Sequence, residues 1–172
     1  MQNLKRIKTS LKNKKFTIKD LIYCTFFILL CNVIGYLSSL FQTESLKTWY
    51  PTLTKSILTP PSFVFIFVWA LLYALLGIST FLAFKDARKN DKAYILSIFS
   101  AQLCFNLLWS IFFFGIRAPF IAFIEILFLL GITLCMMKFY KRFNNFAYLL
   151  LYPYLIWIIF ASYLNLVIVL KN

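Results

Sequence analysis

Gln102, Asn106 and Trp109 stand at i, i+4 and i+7 of an otherwise apolar run, so a helix would carry them on one face. Trp69, Tyr73 and Gly77 repeat every four residues in a second run. Tyr154, Trp157, Ala161 and Asn165 form a third stripe, and Asn32 and Tyr36, with Gly35 beside them, a fourth. These groups are amides, indoles and phenols. Their chemistry is recognition: ring faces for a flat apolar ligand, and a few directed hydrogen bonds for its polar atoms. The usual catalytic parts are missing. The chain contains no His, which removes the common general base, zinc ligand and haem axial ligand. No Ser-His-Asp or Cys-His arrangement is possible, and no P-loop or dinucleotide fingerprint occurs. Cys24, Cys31, Cys104 and Cys135 lie in apolar runs without CxxC spacing and read as buried small hydrophobes. No catalytic residue and no metal site is expected.

The elements that carry these stripes must be long. Of 172 residues, 62% are hydrophobic and 20% aromatic, while 13% are charged, roughly half the charged share of a soluble domain. A soluble core of this size could not hide so much apolar surface, and a disordered chain would lack the aromatics. An integral membrane protein is the class that remains. The expected plan is a basic tail, 1–19, then one all-α membrane domain, 20–172, a bundle of five transmembrane helices. The spans fall at about 20–41, 61–84, 93–114, 119–137 and 146–170, each long enough for a ~30 Å hydrocarbon core. The first is too long for a signal peptide and lacks a cleavage site, so it counts as a span. Pro60, Pro61 and Pro119 suit helix starts, whereas Pro153 predicts a kink inside the fifth run.

Charge sets the orientation. The net charge of +13 is spread between apolar runs, which marks a cytoplasmic side rather than a nucleic-acid surface. With the N-terminus inside, the cytoplasm holds seven basic residues in the tail, four at Lys85, Arg88, Lys89 and Lys92, and three at Lys138, Lys141 and Arg142. Outside are only Lys47, Lys55, Arg117 and Lys171. This predicts a cytoplasmic N-terminus and an outside C-terminus. The long first loop, 42–60, carries Trp49, Tyr50 and prolines and is expected to be a lid.

Polar groups inside spans are costly and so informative. Glu125 is the single acid deep in a span. It reads as helix glue or pocket polarity ahead of a proton relay. Ala93, Ser97 and Ala101 recur every four residues and suit a close helix contact, either internal or across a homodimer seam.

Three ordered motifs resemble one family. They are Trp49-Tyr50-Pro51-Thr52-Leu53-Thr54-Lys55, then Pro60-Pro61-Ser62-Phe63 leading to Val68-Trp69 and Tyr73; Gln102 through Asn106 to Trp109-Ser110 with Phe112-Phe113-Phe114-Gly115; and Tyr152-Pro153-Tyr154 through Trp157 and Ala161 to Asn165. Together they resemble the translocator protein family, also called tryptophan-rich sensory proteins (TspO) or peripheral benzodiazepine receptors. The resemblance runs from about Trp49 to Asn165. It departs at Lys55-Ser56-Ile57-Leu58-Thr59, where Lys-Pro-Ser-Trp is usual. It departs again at Phe63 and Leu107, where the family often has Trp, and at Glu125, which matches a common Asp.

The resemblance implies a five-helix bundle, commonly dimeric, in the bacterial plasma membrane or, in eukaryotes, the mitochondrial outer membrane. It also implies a pocket for porphyrin, haem and similar lipophilic ligands. By motif position Tyr50, Trp69, Tyr73, Asn106, Trp109, Trp157 and Ala161 would line or cap that pocket, with Trp49, Lys55, Pro60 and Pro61 in the lid. Lys55 could meet a ligand's carboxylates. The expected function is a receptor or carrier with a sensory or transport role, in contact with the lipid bilayer, a tetrapyrrole and a second copy, and without an obligatory cofactor or nucleic acid. Enzymatic breakdown of porphyrin in light and oxygen, and a regulatory interaction protein, stand as the alternatives.

Overall fold

The computed structural model describes residues 16–172; the basic tail through Lys15 lies outside the described residues. Seven α-helices follow: α1 (Ile18–Leu40), α2 (Thr43–Thr48), α3 (Ser62–Asp86), α4 (Lys89–Ser110), α5 (Pro119–Tyr140), α6 (Asn145–Leu150) and α7 (Tyr152–Lys171). Five helical stretches are long and apolar enough to cross a membrane: α1, α3, α4 with its C-terminal turn, α5, and α6 with α7. The protein is an all-α membrane bundle, with no strand among the described residues.

Local chemistry sets the helix ends. Thr17 caps α1 in a reciprocal box: its Oγ1 accepts from the Asp20 N–H at 3.3 Å, and its own N–H donates to the Asp20 carboxylate at 2.8 Å, satisfying two otherwise orphaned donors. Pro61 is the N-cap of α3, and Pro119 opens α5, where a missing N–H costs nothing. The kink expected at Pro153 is present: one residue, Leu151, interrupts the helical stretch between α6 and α7. The chain turns at Leu151, and α7 restarts with Pro153 in its first turn, because proline removes a helix donor and crowds the preceding turn. Arg117 takes a left-handed backbone, φ 57°, in the tight connection between α4 and α5.

Helix contacts close a ring. α1 packs on α3 and α4, α4 on α5, α5 on α7, and α3 on α6 and α7. Gly77 makes the first contact possible: a Cβ there would lie 2.7 Å from the Ile28 Cα and N. Polar ties hold both ends of the bundle. At one end Lys85 pairs with Asp20 at 3.0 Å, Asn144 donates to Asp86 at 2.7 Å, and the Ser79 hydroxyl donates to the Ala147 carbonyl at 2.7 Å. At the other, Arg117 pairs with Glu44 at 3.2 Å, and the Asn172 amide exchanges two hydrogen bonds with the Thr54 backbone, at 2.9 and 3.2 Å.

Two sequence expectations are corrected by this packing. Cys31 is buried and Cys24 partly so, but Cys104 and Cys135 are exposed on the outer face; a lipid-facing position accepts a small hydrophobe as readily as a core does. Ala93 and Ser97 are also exposed, and the Ser97 hydroxyl donates back to the Ala93 carbonyl at 3.0 Å. These two are not an internal packing seam.

Candidate functional site: an aromatic cavity under the first loop

The four stripes converge on a cavity of about 380 Å³ between α1, α3, α4 and α7, within the usual range for small-molecule pockets. Tyr50, Trp69, Tyr73, Asn106, Trp109, Trp157 and Ala161 all line it. So do Asn32, Gly35 and Tyr36 of α1 and Asn165 of α7. Gly77, Gln102 and Tyr154 do not. Gly77 sits at the α1 crossing, and the other two lie behind the wall.

Nine of the lining residues are aromatic. Trp69 and Trp157 meet edge to face, with centroids 6.4 Å apart at 87°. Trp69 also lies 5.4 Å from Tyr73. On the other side Trp109 stacks on Phe113 at 5.1 Å and 19°. Phe113 comes from a π-helical turn, Ile111–Gly115, that extends α4. The wider turn brings Phe113 and Phe114 of adjacent positions into one buried cluster with Ala122 and Ile168, a local irregularity often found at functional sites. Sequence reasoning missed both phenylalanines as wall residues. Their spacing of four and five from Trp109 was the available signal.

Behind the rings lies a buried amide–phenol network. The Tyr73 hydroxyl donates to Asn106 Oδ1 at 3.0 Å, and the Asn106 and Gln102 amides both donate to the Tyr154 hydroxyl. Trp109 Nε1 donates to Asn165 Oδ1 at 3.1 Å, and the Asn165 amide donates to the Pro119 carbonyl at 2.9 Å. The network therefore ties α3, α4, α5 and α7 and uses up much of the wall's polarity internally. The Trp157 indole N–H finds no acceptor among the described residues. Tyr154→Phe would strand two amides in a fully buried setting, at a cost of about 1–3 kcal/mol. A drop in the unfolding midpoint that Tyr152→Phe, on the exposed surface, does not reproduce is the expected result.

The first loop covers one end of the cavity. It contains α2 and a 3-10 turn over Tyr50–Thr52. The Ser45 hydroxyl donates to the Phe114 carbonyl at 2.6 Å, and Gln42 donates to Ser110 at 3.1 Å. Trp49 stands edge-on to Phe113 at 5.7 Å and does not line the cavity; Pro60 does. Pro61 begins α3 beside it. The Lys55 ammonium donates to the Tyr50 and Leu53 carbonyls at 2.8 and 3.2 Å and lies 4.8 Å from the Tyr50 ring. It is a brace within the loop, not a residue of the cavity wall. Burial raises the Tyr50 phenol above its ordinary pKa.

No residue lining the cavity is His, Cys or Met. Its tyrosines are the remaining candidates for iron ligation. Tyr73 donates its proton to Asn106, and the upward shift of Tyr50 disfavours the phenolate that iron would need. Tyr36, the third tyrosine, is 66% exposed; the wall suits a flat ring held by its faces and offers no imidazole, thiolate or thioether as an axial ligand.

Glu125 lies outside this cavity. It is buried, and neither carboxyl oxygen has a hydrogen-bond partner among the described residues. It therefore does not glue helices by a hydrogen bond.

The profile of the TspO/MBR family matches residues 27–170. "Tryptophan-rich protein TspO" of Archaeoglobus fulgidus is 40% identical over 145 residues, covering 84% of this chain and 94% of that protein. The protein of the same name in Chlorobaculum tepidum is 33% identical over 155 residues, 90% of this chain and 98% of its own length. "Translocator protein" of Homo sapiens is 33% identical over 119 residues, 68% and 70% of the two chains.

Proposed function

The chain belongs to the TspO/MBR family, and on that premise we propose that it is a membrane receptor or carrier that takes porphyrins and similar lipophilic ligands into the aromatic cavity. Membership makes it an integral membrane protein of the sensory and translocator group. The observation that carries the finer reading is that Trp69, Trp109 and Trp157, from three separate helices, line one cavity. Ring faces that stack or meet edge to face suit a planar macrocycle. The Tyr50 hydroxyl, on the cavity lining, would address polar atoms at the ligand's edge.

Bound haem would supply iron redox chemistry, but its ring would be held as any porphyrin is. The discriminating experiment compares haem with metal-free protoporphyrin IX. Affinities within about threefold, less than 1 kcal/mol, and an absorption spectrum without six-coordinate features are expected. A much tighter haem affinity with a six-coordinate spectrum would overturn this account of the site.

The proposal extends to membrane placement. Basic side chains between α3 and α4 and between α5 and α6 share one end of the bundle with the start of α1, so the positive-inside rule places that end in the cytoplasm. In a bacterial plasma membrane the N-terminus is inside and Asn172 outside. Impermeant thiol labelling of cysteines introduced at each end tests this; a C-terminal cysteine protected in intact cells would contradict it. Ala93, Ser97 and Ala101 form the proposed homodimer seam.

A further inference from the structure

A second concave surface lies on the outer face of the bundle, between α4 and α5. It is lined by Phe105, Leu108, Phe112, Phe120 and Phe128, with Glu125 set in its floor. Phe105 and Phe128 lie nearly parallel across it, centroids 6.3 Å apart. Phe120 and Phe128 are 64% and 62% exposed, whereas Glu125 is 5% exposed. The groove is thus open to the membrane while its one polar group is sunk at the bottom. Both Glu125 oxygens lack a partner among the described residues, and no lining side chain carries a positive charge. The first loop's lid and the tryptophan wall do not reach it.

A carboxyl so placed is an incomplete arrangement. Burying a polar group without a partner is unfavourable, and burying a lone charge far more so. A neutral hydroxyl could meet only part of the carboxylate's accepting capacity. A primary ammonium brings the opposite charge and three donors, and phenyl faces around it attract a cation. Depth narrows the class further. Glu125 is six residues beyond Pro119, the first residue of α5, or about 9 Å along the axis. A zwitterionic headgroup carrying a phosphate would have to bury that phosphate to reach it. A single amine on an apolar tail would not.

We propose that the α4–α5 groove binds lipophilic primary amines, with the Glu125 carboxylate as the counter-ion of their ammonium group and the surrounding phenylalanines holding the tail. An amine that arrives uncharged takes the carboxyl proton. One that arrives as ammonium sends that proton to solvent. In either case one carboxylate then faces one ammonium.

The full-length protein has two glutamates, Glu44 and Glu125, so labelling Glu with carbon-13 gives two side-chain carboxyl signals by NMR. Glu125→Gln identifies which is which. Dodecylamine titrated into the wild-type protein in nonionic detergent should move the Glu125 signal saturably toward the carboxylate position and leave the Glu44 signal in place. Dodecanol should not produce that shift. Ile124→Trp, at the groove's edge, keeps Glu125 but fills the space, and should raise the amine concentration for half-saturation about tenfold or more. An unmoved Glu125 signal, an equal shift with dodecanol, or an Ile124→Trp protein that responds as the wild type does would each overturn the proposal. None of these outcomes depends on whether the tryptophan cavity takes porphyrin.

Discussion

Replacing Trp157 with alanine is expected to weaken protoporphyrin IX binding by about 30- to 100-fold, or 2–3 kcal/mol. Three features make this the most sensitive position of the wall. The indole meets Trp69 edge to face, Phe65 at 5.6 Å and Phe160 at 5.6 Å. Truncation therefore removes one ring and loosens the seating of three others. It also deletes the unpartnered N–H. Ile156, the neighbouring residue, is 63% exposed on the outer face, and Ile156→Ala should leave the affinity unchanged. Trp49→Ala should fall between them, because Trp49 supports the cavity through Phe113 without touching it. Direct binding titrations of the three variants test the ranking; equal losses at Trp157 and Ile156 would sink the wall assignment.

Gly77→Val should lower stability by overpacking the α1–α3 crossing. Its added carbons would meet the backbone of α1, with Ile28 Cα and N at 2.7 Å and the Phe27 carbonyl carbon at 2.9 Å. A side chain can turn aside, but a helix backbone can only move as a body. Overpacking of this kind costs about 1–3 kcal/mol, a fall in the unfolding midpoint of about 2–12 °C for a chain of this length. Function should suffer as well, since α1 carries Asn32, Gly35 and Tyr36 to the cavity. Gly35→Ala makes an informative comparison. Its Cβ would collide with the Tyr73 ring, so it disturbs the Tyr73–Asn106 bond more than the helix contact. Gly131 has nothing within 4 Å of an added Cβ, and Gly131→Ala should cost no stability. Thermal melts followed by circular dichroism separate the three.

Much of the architecture could be read from the residues, and the reason is particular to membranes. Backbone groups in lipid must be satisfied within the helix, so an apolar run of sufficient length has little choice of structure. Proline positions at 61 and 119 then marked the helix starts. The polar stripes were equally legible, because Trp69 with Tyr73, Asn106 with Trp109, and Trp157 with Ala161 stand at helical spacing in a background of Leu, Ile and Phe. They do line one cavity.

What sequence could not show is which apolar residues face protein and which face lipid. Hydrocarbon tails are as apolar as a leucine core, so the hydrophobic pattern that orients a soluble helix is weak here. Phe27, Phe99 and Phe113 are buried while Phe26, Phe67 and Phe128 are exposed, with nothing in their type to distinguish them. Cys104, Cys135, Ala93 and Ser97 were misjudged or left open for the same reason. The π-turn at Ile111–Gly115 has no proline to announce it. The hydrogen bonds that occupy Tyr73, Asn106, Trp109 and Lys55 are three-dimensional facts that spacing alone does not contain.

The central claim is that the tryptophan-lined cavity is the ligand site. Titrating the purified full-length protein with protoporphyrin IX while following tryptophan fluorescence tests it most directly. Three of the four tryptophans line the cavity and the fourth, Trp49, packs just outside it. Saturable quenching of most of the emission, with one porphyrin per chain and the affinity cut by Trp157→Ala, is the predicted result. Quenching that never saturates, or that saturates identically in the Trp157→Ala protein, would contradict the account.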